Sequence, residues 1–141
     1  MRVILDANIY VSALLKPSGR QAKIVQKGFD GVFQIVLSEN IFLEIGRVLN
    51  YRKIVDRLPF TQDQVKQFLE HLVEMASWTN DEVKVTGCRD PRDDIYLSCA
   101  KESQAKFLVS GDQDLLQLKR FEETIILNSK EFMEHLLTNT P

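Results

Sequence analysis

Cysteine is scarce in this chain: Cys88 and Cys99 are the only two among 141 residues. They form no C-x-x-C pair and have no second pair to join. Neither a disulfide framework nor a cysteine zinc site can be built from them, and two reduced thiols are expected. Histidine is as rare. His71 and His135 both fall inside helical patterns and read as packing or surface residues rather than ligands. The 4 prolines and 6 glycines are scattered. With no internal repeat, low-complexity segment or linker, one domain over residues 1–141 is expected, a length that suits a proper core. Long apolar runs are also lacking, so no membrane span is expected. The opening MRVILDANIY lacks the charged-then-apolar layout of a signal peptide because Asp6 interrupts it, and a cytoplasmic location is expected. Finally, positive charge is not in excess: 18 Lys and Arg stand against 20 Asp and Glu, for a net charge of -2. Nucleic-acid binding by bulk charge is excluded. A polyanionic partner would have to be met by a local basic patch or a metal.

What is present is alternation. The run RVIL (2–5) ends at Asp6 and reads as a buried parallel strand. NIYVSALL starts a helix broken by KPSG, and a second helix runs over 20–28. VFQIVL (32–37), KFLVS (106–110) and TIIL (124–127) are further strands, with Val83 to Val85 as a short one. Ser38 is a plausible N-cap for a helix carrying Ile41, Ile45, Val48 and Leu49. Thr61 and Gln64 make a capping box before the clearest amphipathic stripe, Val65, Phe68, Leu69, Leu72, Val73 and Ala76. A helix from about 91 to 103, a short turn at 114–119 and a final helix capped by Ser129 complete the pattern. Strands alternating with helices predict an α/β domain, a three-layer α/β/α sandwich on a central, mainly parallel sheet. Phe68, Leu72 and Trp78 are read either as a dimer surface or as packing within residues 51–78.

The stretch CRDPRDDIYLSCA (88–100) places Asp90, Asp93 and Asp94 where an apolar helix begins. RVIL runs into Asp6, and KFLVS runs into Asp112 and Asp114. Glu44 lies in the second turn of the helix after VFQIVL. Each acid has a structural reading of its own. Asp90 with Pro91 fits an N-cap and first helical position, with Asp93 facing the positive helix end. Asp112 and Asp114 can cap the turn that follows, and Glu44 can be a solvated helix residue. Those readings leave the coincidence at strand ends unexplained. In open parallel sheets ligands gather outside the carboxyl ends of the strands, so the acids should converge. Two unit charges about 4 Å apart cost about 4 kcal/mol at an effective dielectric of 20, and a hard, oxygen-only donor set suits Mg²⁺ or Mn²⁺ as the neutralising ion.

These segments, ILDANIYVSAL (4–14), LSENIFLEIGRVL (37–49), CRDPRDDIYLSCA (88–100) and LVSGDQDLL (108–116), resemble in order and spacing a PIN-domain ribonuclease, in particular the VapC-like toxin branch of toxin–antitoxin pairs. The resemblance implies an Mg²⁺- or Mn²⁺-dependent ribonuclease leaving a 5′-phosphate and a 3′-hydroxyl. Catalytic and metal positions fall on Asp6, Glu44, Asp93 and Asp112, with Asp114 an auxiliary ligand. Asp94 is the alternative to Asp93, since the match there is uncertain by one residue. Asn8, Ser38, Ser110, Asp90 and Asp94 take supporting positions. The common Asp-Thr-Asn reads Asp-Ala-Asn here, with Ala7 in the middle, which removes a hydroxyl but no ligand. Arg89, Arg92 and Arg47, and more weakly Lys16, Arg20 and Lys23, are candidates to guide an RNA backbone. An RNA substrate, a cognate antitoxin and a homodimer are the partners implied. An RNA-processing nuclease that is not a toxin, and a catalytically silent binding module, are the alternatives. A receiver domain or a haloacid-dehalogenase-like phosphatase fits less well, because the latter wants an aspartate where Asn8 stands and neither uses a helix glutamate such as Glu44.

Overall fold

Continuous apolar runs become strands because both of their faces are covered. The computed structural model describes residues 1–138. In chain order the elements are β1 (Arg2–Leu5), α1 (Ala7–Leu15), α2 (Arg20–Phe29), β2 (Gln34–Leu37), α3 (Glu39–Leu49), α4 (Arg52–Val55), α5 (Gln62–Met75) and β3 (Ser77–Trp78). A 3₁₀ turn (Pro91–Asp93) then leads into α6 (Asp94–Ser103), β4 (Phe107–Val109), α7 (Gln113–Leu118), β5 (Arg120–Phe121), β6 (Thr124–Leu127) and α8 (Ser129–Thr138). The six strands lie in the order β3-β2-β1-β4-β6-β5. All pairings are parallel except β5 with β6. The architecture is the expected three-layer α/β/α sandwich on a mainly parallel sheet. Among the described residues no helix is long and apolar enough to cross a membrane.

The strand order determines where a site can form. The chain leaves β1 toward β2 on one side, while β4 lies on the other, so the crossovers part between β1 and β4. Ligand crevices in open α/β sheets form at such a switch point. Asp6 follows β1 there, and Ser110 and Asp112 follow β4. The two strand ends are tied together by Asp6 N–H donating to the Val109 carbonyl at 2.9 Å. Beneath them Val3, Ile4, Leu5, Val36, Leu37, Leu108 and Val109 are fully or almost fully buried. Helix α2 sits close on β2 at Gly28, where an added Cβ would come within 2.6 Å of Ile35 Cδ1.

Some local expectations change. Val83 to Val85 is not a strand. The sheet edge is instead Ser77–Trp78, in parallel register with Val36 and Leu37, while the residues after it bond to side chains of α6. The helix expected from residue 91 begins as a 3₁₀ turn, because the Asp90 carboxylate caps it by accepting from Arg92 N–H at 3.0 Å. The final helix is capped by Asn128, not Ser129: Glu131 N–H donates to Asn128 Oδ1 and Asn128 N–H donates back to Glu131 Oε1. Leu72 is fully buried within its own chain and Phe68 packs on Phe29 at a 5.7 Å ring separation. Trp78 remains 39% exposed, against Phe42.

Candidate metal centre

Asp6, Glu44, Asp93 and Asp112, which come from four separated parts of the sequence, line one open cavity of about 220 Å³, together with Asn8, Asp90, Arg92 and Tyr96. Asp6 is held from two sides. It caps α1 by accepting the Asn8 N–H on Oδ1 at 3.0 Å, and the Ser110 hydroxyl donates to Oδ2 at 2.7 Å. The same Ser110 oxygen accepts the Asp112 N–H at 3.0 Å, so one buried hydroxyl fixes the two strand-end acids relative to each other. Tyr96 completes this wall: its hydroxyl accepts the Ala7 N–H at 3.1 Å. Asp112 in turn caps α7 by accepting the Asp114 N–H on Oδ1 at 3.0 Å.

Asp93 is 5% exposed. One carboxylate oxygen each from Asp93, Asp112 and Asp114 lie within 4.8 Å of one another. Burial, and then the neighbouring Asp112 carboxylate that a protonated Asp93 can hydrogen-bond, push Asp93 up to about 7, with Asp90 and Asp6 adding to the rise. Asp6 is also raised, chiefly by burial, against the pull of the Asn8 N–H and the Ser110 and Tyr96 hydroxyls. Both shifts have one cause: carboxylates crowded out of water without a counter-charge.

The cations stop short of the centre. Among the described residues the ion pairs at this mouth are Arg47 with Glu44 at 2.5 Å, Arg92 with Asp90 at 3.0 Å and Arg89 with Asp114 at 3.9 Å. None reaches Asp6, Asp93 or Asp112. Three carboxylates without a positive partner, presenting only hard oxygens, fit a divalent cation of the magnesium or manganese kind.

The other expected residues fall as follows. Asn8 lines the cavity. Ser38 is buried and spends its hydroxyl capping α3, accepting the Ile41 N–H at 3.2 Å. Asp94 turns away, its Oδ1 accepting the Cys88 N–H at 3.0 Å. Of the expected basic residues Arg92 lines the cavity, paired to Asp90; Arg47 and Arg89 do not line it but pair with Glu44 and Asp114, and Lys16, Arg20 and Lys23 do not line it. Tyr96 escaped the sequence reading, although it lies three residues after Asp93 and so on the same helical face. Cys88 and Cys99 are both pushed up to about 12, each chiefly by burial, and remain thiols at neutral pH.

A family model described as PIN domain matches residues 2–114. The uncharacterized protein MJ1680 of Methanocaldococcus jannaschii is 27% identical over 142 residues, which is 95% of this chain and 90% of its own length. Among solved structures, PAE2754 from Pyrobaculum aerophilum superposes with a TM-score of 0.62 at 14% identity, over 99% of this chain and 91% of that one. A chain of VapBC2 from Rickettsia felis, bound to a DNA fragment from their promoter, superposes with a TM-score of 0.59 at 17% identity, over 91% of this chain and 98% of that one. At these identities the two superpositions show a shared fold.

Proposed function

The chain belongs to the PIN-domain family, and from that premise we propose that it is a divalent-metal-dependent ribonuclease that hydrolyses RNA phosphodiester bonds. The observation that carries this reading is the cavity in which Asp6, Glu44, Asp93 and Asp112 meet, three of them without a cationic partner. These four would hold Mg²⁺ or Mn²⁺, with Asp114 as auxiliary ligand. A bound ion of this kind lowers the pKa of a coordinated water and offsets charge developing on phosphate.

The chain's own residues do the rest. Ser110 and the Asn8 N–H fix the Asp6 carboxylate, so that its remaining lone pairs face the cavity. The Asp114 N–H fixes one oxygen of Asp112 and leaves the other for the cavity. Tyr96 locks the Ala7 backbone and thereby the entry of α1. Arg47, Arg89 and Arg92 at the mouth would meet the RNA backbone as it approaches, exchanging an exposed carboxylate partner for a phosphate. No protein nucleophile is required, and both cysteines are in the wrong protonation state to act as one.

The test is cleavage of mixed RNA by the full chain in Mg²⁺ or Mn²⁺, with an EDTA control. Asp6→Asn is expected to remove cleavage, by a factor of at least 100, while far-ultraviolet circular dichroism stays that of the parent. Metal-dependent cleavage by Asp6→Asn at the parent's rate would sink the scheme.

We propose further that the chain is the toxin of a toxin–antitoxin pair. Its fold likeness to a chain of VapBC2 supports that over a processing nuclease. Expression should arrest growth, and Asp6→Asn should relieve the arrest. A cognate antitoxin would be recovered with the tagged chain as a stoichiometric partner encoded beside it. Self-association as a homodimer is the expected solution state, read by light scattering.

A further inference from the structure

Tyr96 is 5% exposed and sits in the first turn of α6. Its phenol reaches from α6 to the end of β1, where its oxygen accepts the Ala7 N–H at 3.1 Å in a buried bond. At the far end of the same two elements Arg2 donates to the Ser103 carbonyl at 2.6 Å. Tyr96 is therefore the tie at the end where the acids meet. Asp93 enters from the α6 side of that tie and Asp6 from the β1 side.

A phenol that accepts one hydrogen bond still has a proton to give. The acceptor beside it is the Asp6 carboxylate, which lines the same cavity. The Tyr96 hydroxyl draws the Asp6 carboxyl down, and the Asp6 charge, after burial, raises the phenol in turn. An N–H that donates to an O–H, which donates onward to a carboxylate, makes a chain whose members strengthen one another. Asp6 then has three donors: the Asn8 N–H on Oδ1, the Ser110 hydroxyl on Oδ2, and the Tyr96 hydroxyl. A carboxylate has about four acceptor positions, so about one is left over.

We propose that Tyr96 is a positioning residue of the metal centre: its hydroxyl holds the Asp6 carboxylate so that Asp6 meets a divalent cation through a single oxygen. The inference rests on the metal-dependent nuclease reading above. It adds a residue that acts through a ligand without being one, and it ties the position of Asp6 to the helix that follows Asp93.

The test is calorimetric titration of the RNA-free full chain with Mn²⁺, on the parent, Tyr96→Phe, Asp6→Asn and the double variant. Tyr96→Phe keeps the ring and its packing and removes the hydroxyl. It is expected to weaken Mn²⁺ binding roughly 10- to 100-fold, the loss that removing a partner of a metal ligand gives. Added to Asp6→Asn it should cost nothing further, because the hydroxyl acts through a ligand already lost. A general loosening of the fold would instead weaken binding by the same factor in both backgrounds. Where a variant folds or binds too poorly to titrate, nuclear magnetic resonance of the parent answers. The Tyr96 hydroxyl proton should give a slowly exchanging line that shifts on adding Mg²⁺, and its exchange should accelerate in Asp6→Ala. Three results overturn the inference: Mn²⁺ affinity of Tyr96→Phe equal to the parent's, the same loss in both backgrounds, or a hydroxyl proton exchanging as fast in the parent as in Asp6→Ala. Mn²⁺ binding by the parent without cleavage of RNA overturns the nuclease reading instead, and the four titrations still decide the role of Tyr96.

Discussion

Arg47 grips Glu44 with two nitrogens, Nε at 3.0 Å and Nη2 at 2.5 Å, and its ring-facing side lies over Tyr51. The glutamate expected to hold a cation is thus already neutralised by one the chain supplies itself. An incoming metal ion competes with that guanidinium. The pair is exposed, with Arg47 at 47%, so it is a weak surface ion pair. Arg47→Gln should therefore tighten Mn²⁺ binding by about 1.5- to 5-fold, measured by calorimetric titration of the RNA-free protein. Unchanged or weaker binding would mean that Arg47 positions Glu44 rather than competing for it. Asp6 stood out in the sequence because a carboxylate ending a buried strand has no cheap alternative partner. The choice between Asp93 and Asp94 was not legible there, since periodicity alone does not resolve a one-residue shift at a helix start. Locally the two differ: Asp93 ends a 3₁₀ turn and lines the cavity, whereas Asp94 begins α6 and accepts the Cys88 N–H.

That bond belongs to a pattern along α6. Asp94, Ser98 and Glu102 are spaced by four and lie on one stripe of the helix. Asp94 accepts from Cys88 N–H, Ser98 from Val85 N–H, and Glu102 from the N–H groups of Asn80, Glu82 and Val83. Residues 80–88 therefore run antiparallel to α6, tied by side chains rather than by a strand ladder. Against the upward pull of burial, these N–H groups hold the Glu102 carboxyl below the usual range. This is why Val-Lys-Val at 83–85 alternates like a strand and yet is none: its donors are taken by a helix. β3 and β5 escaped notice for a simpler reason, since a two-residue strand leaves no periodicity to read. The longer strands, with continuous apolar runs, were found within two residues of their ends. Glu102→Ala should release the segment, with amide exchange at Asn80, Glu82 and Val83 accelerating and stability falling by on the order of 1 kcal/mol. Exchange in β1 and β4 should stay as in the parent. Uniform acceleration throughout the sheet would show that Glu102 supports the core instead.

For the molecule as a whole, the acidic centre is a cost that a cation removes, and pH should expose it. In the unfolded chain Asp93 titrates in the ordinary carboxylate range, whereas in the folded, metal-free chain it is raised to about 7. Between those limits the folded state holds more protons than the unfolded one. Stability then falls as pH rises through the window, because it rises with pH only where the unfolded state binds more protons. Asp6, also raised, acts in the same direction. Asp90 and Glu102, whose carboxyls are lowered, act in the opposite direction, but only at and below the ordinary carboxylate range. A window from pH 5 to 8 therefore separates the raised acids from Asp90 and Glu102. In EDTA the melting temperature is expected to fall across it. Mn²⁺ at a hundredfold excess over its Kd should add about 2.7 kcal/mol, on the order of 10 °C in Tm for a chain of this size. The shift should be larger at pH 8 than at pH 5, where the ion competes with a proton on Asp93. Asp93→Asn should reduce the slope of the EDTA profile, leaving the part due to Asp6, and shrink the Mn²⁺ shift together, because the Asp93 carboxylate contributes to both. An EDTA profile that rises from pH 5 to 8 would show that the acids are not crowded as the fold places them, and a Mn²⁺ shift surviving Asp93→Asn in full would move the ion to other ligands.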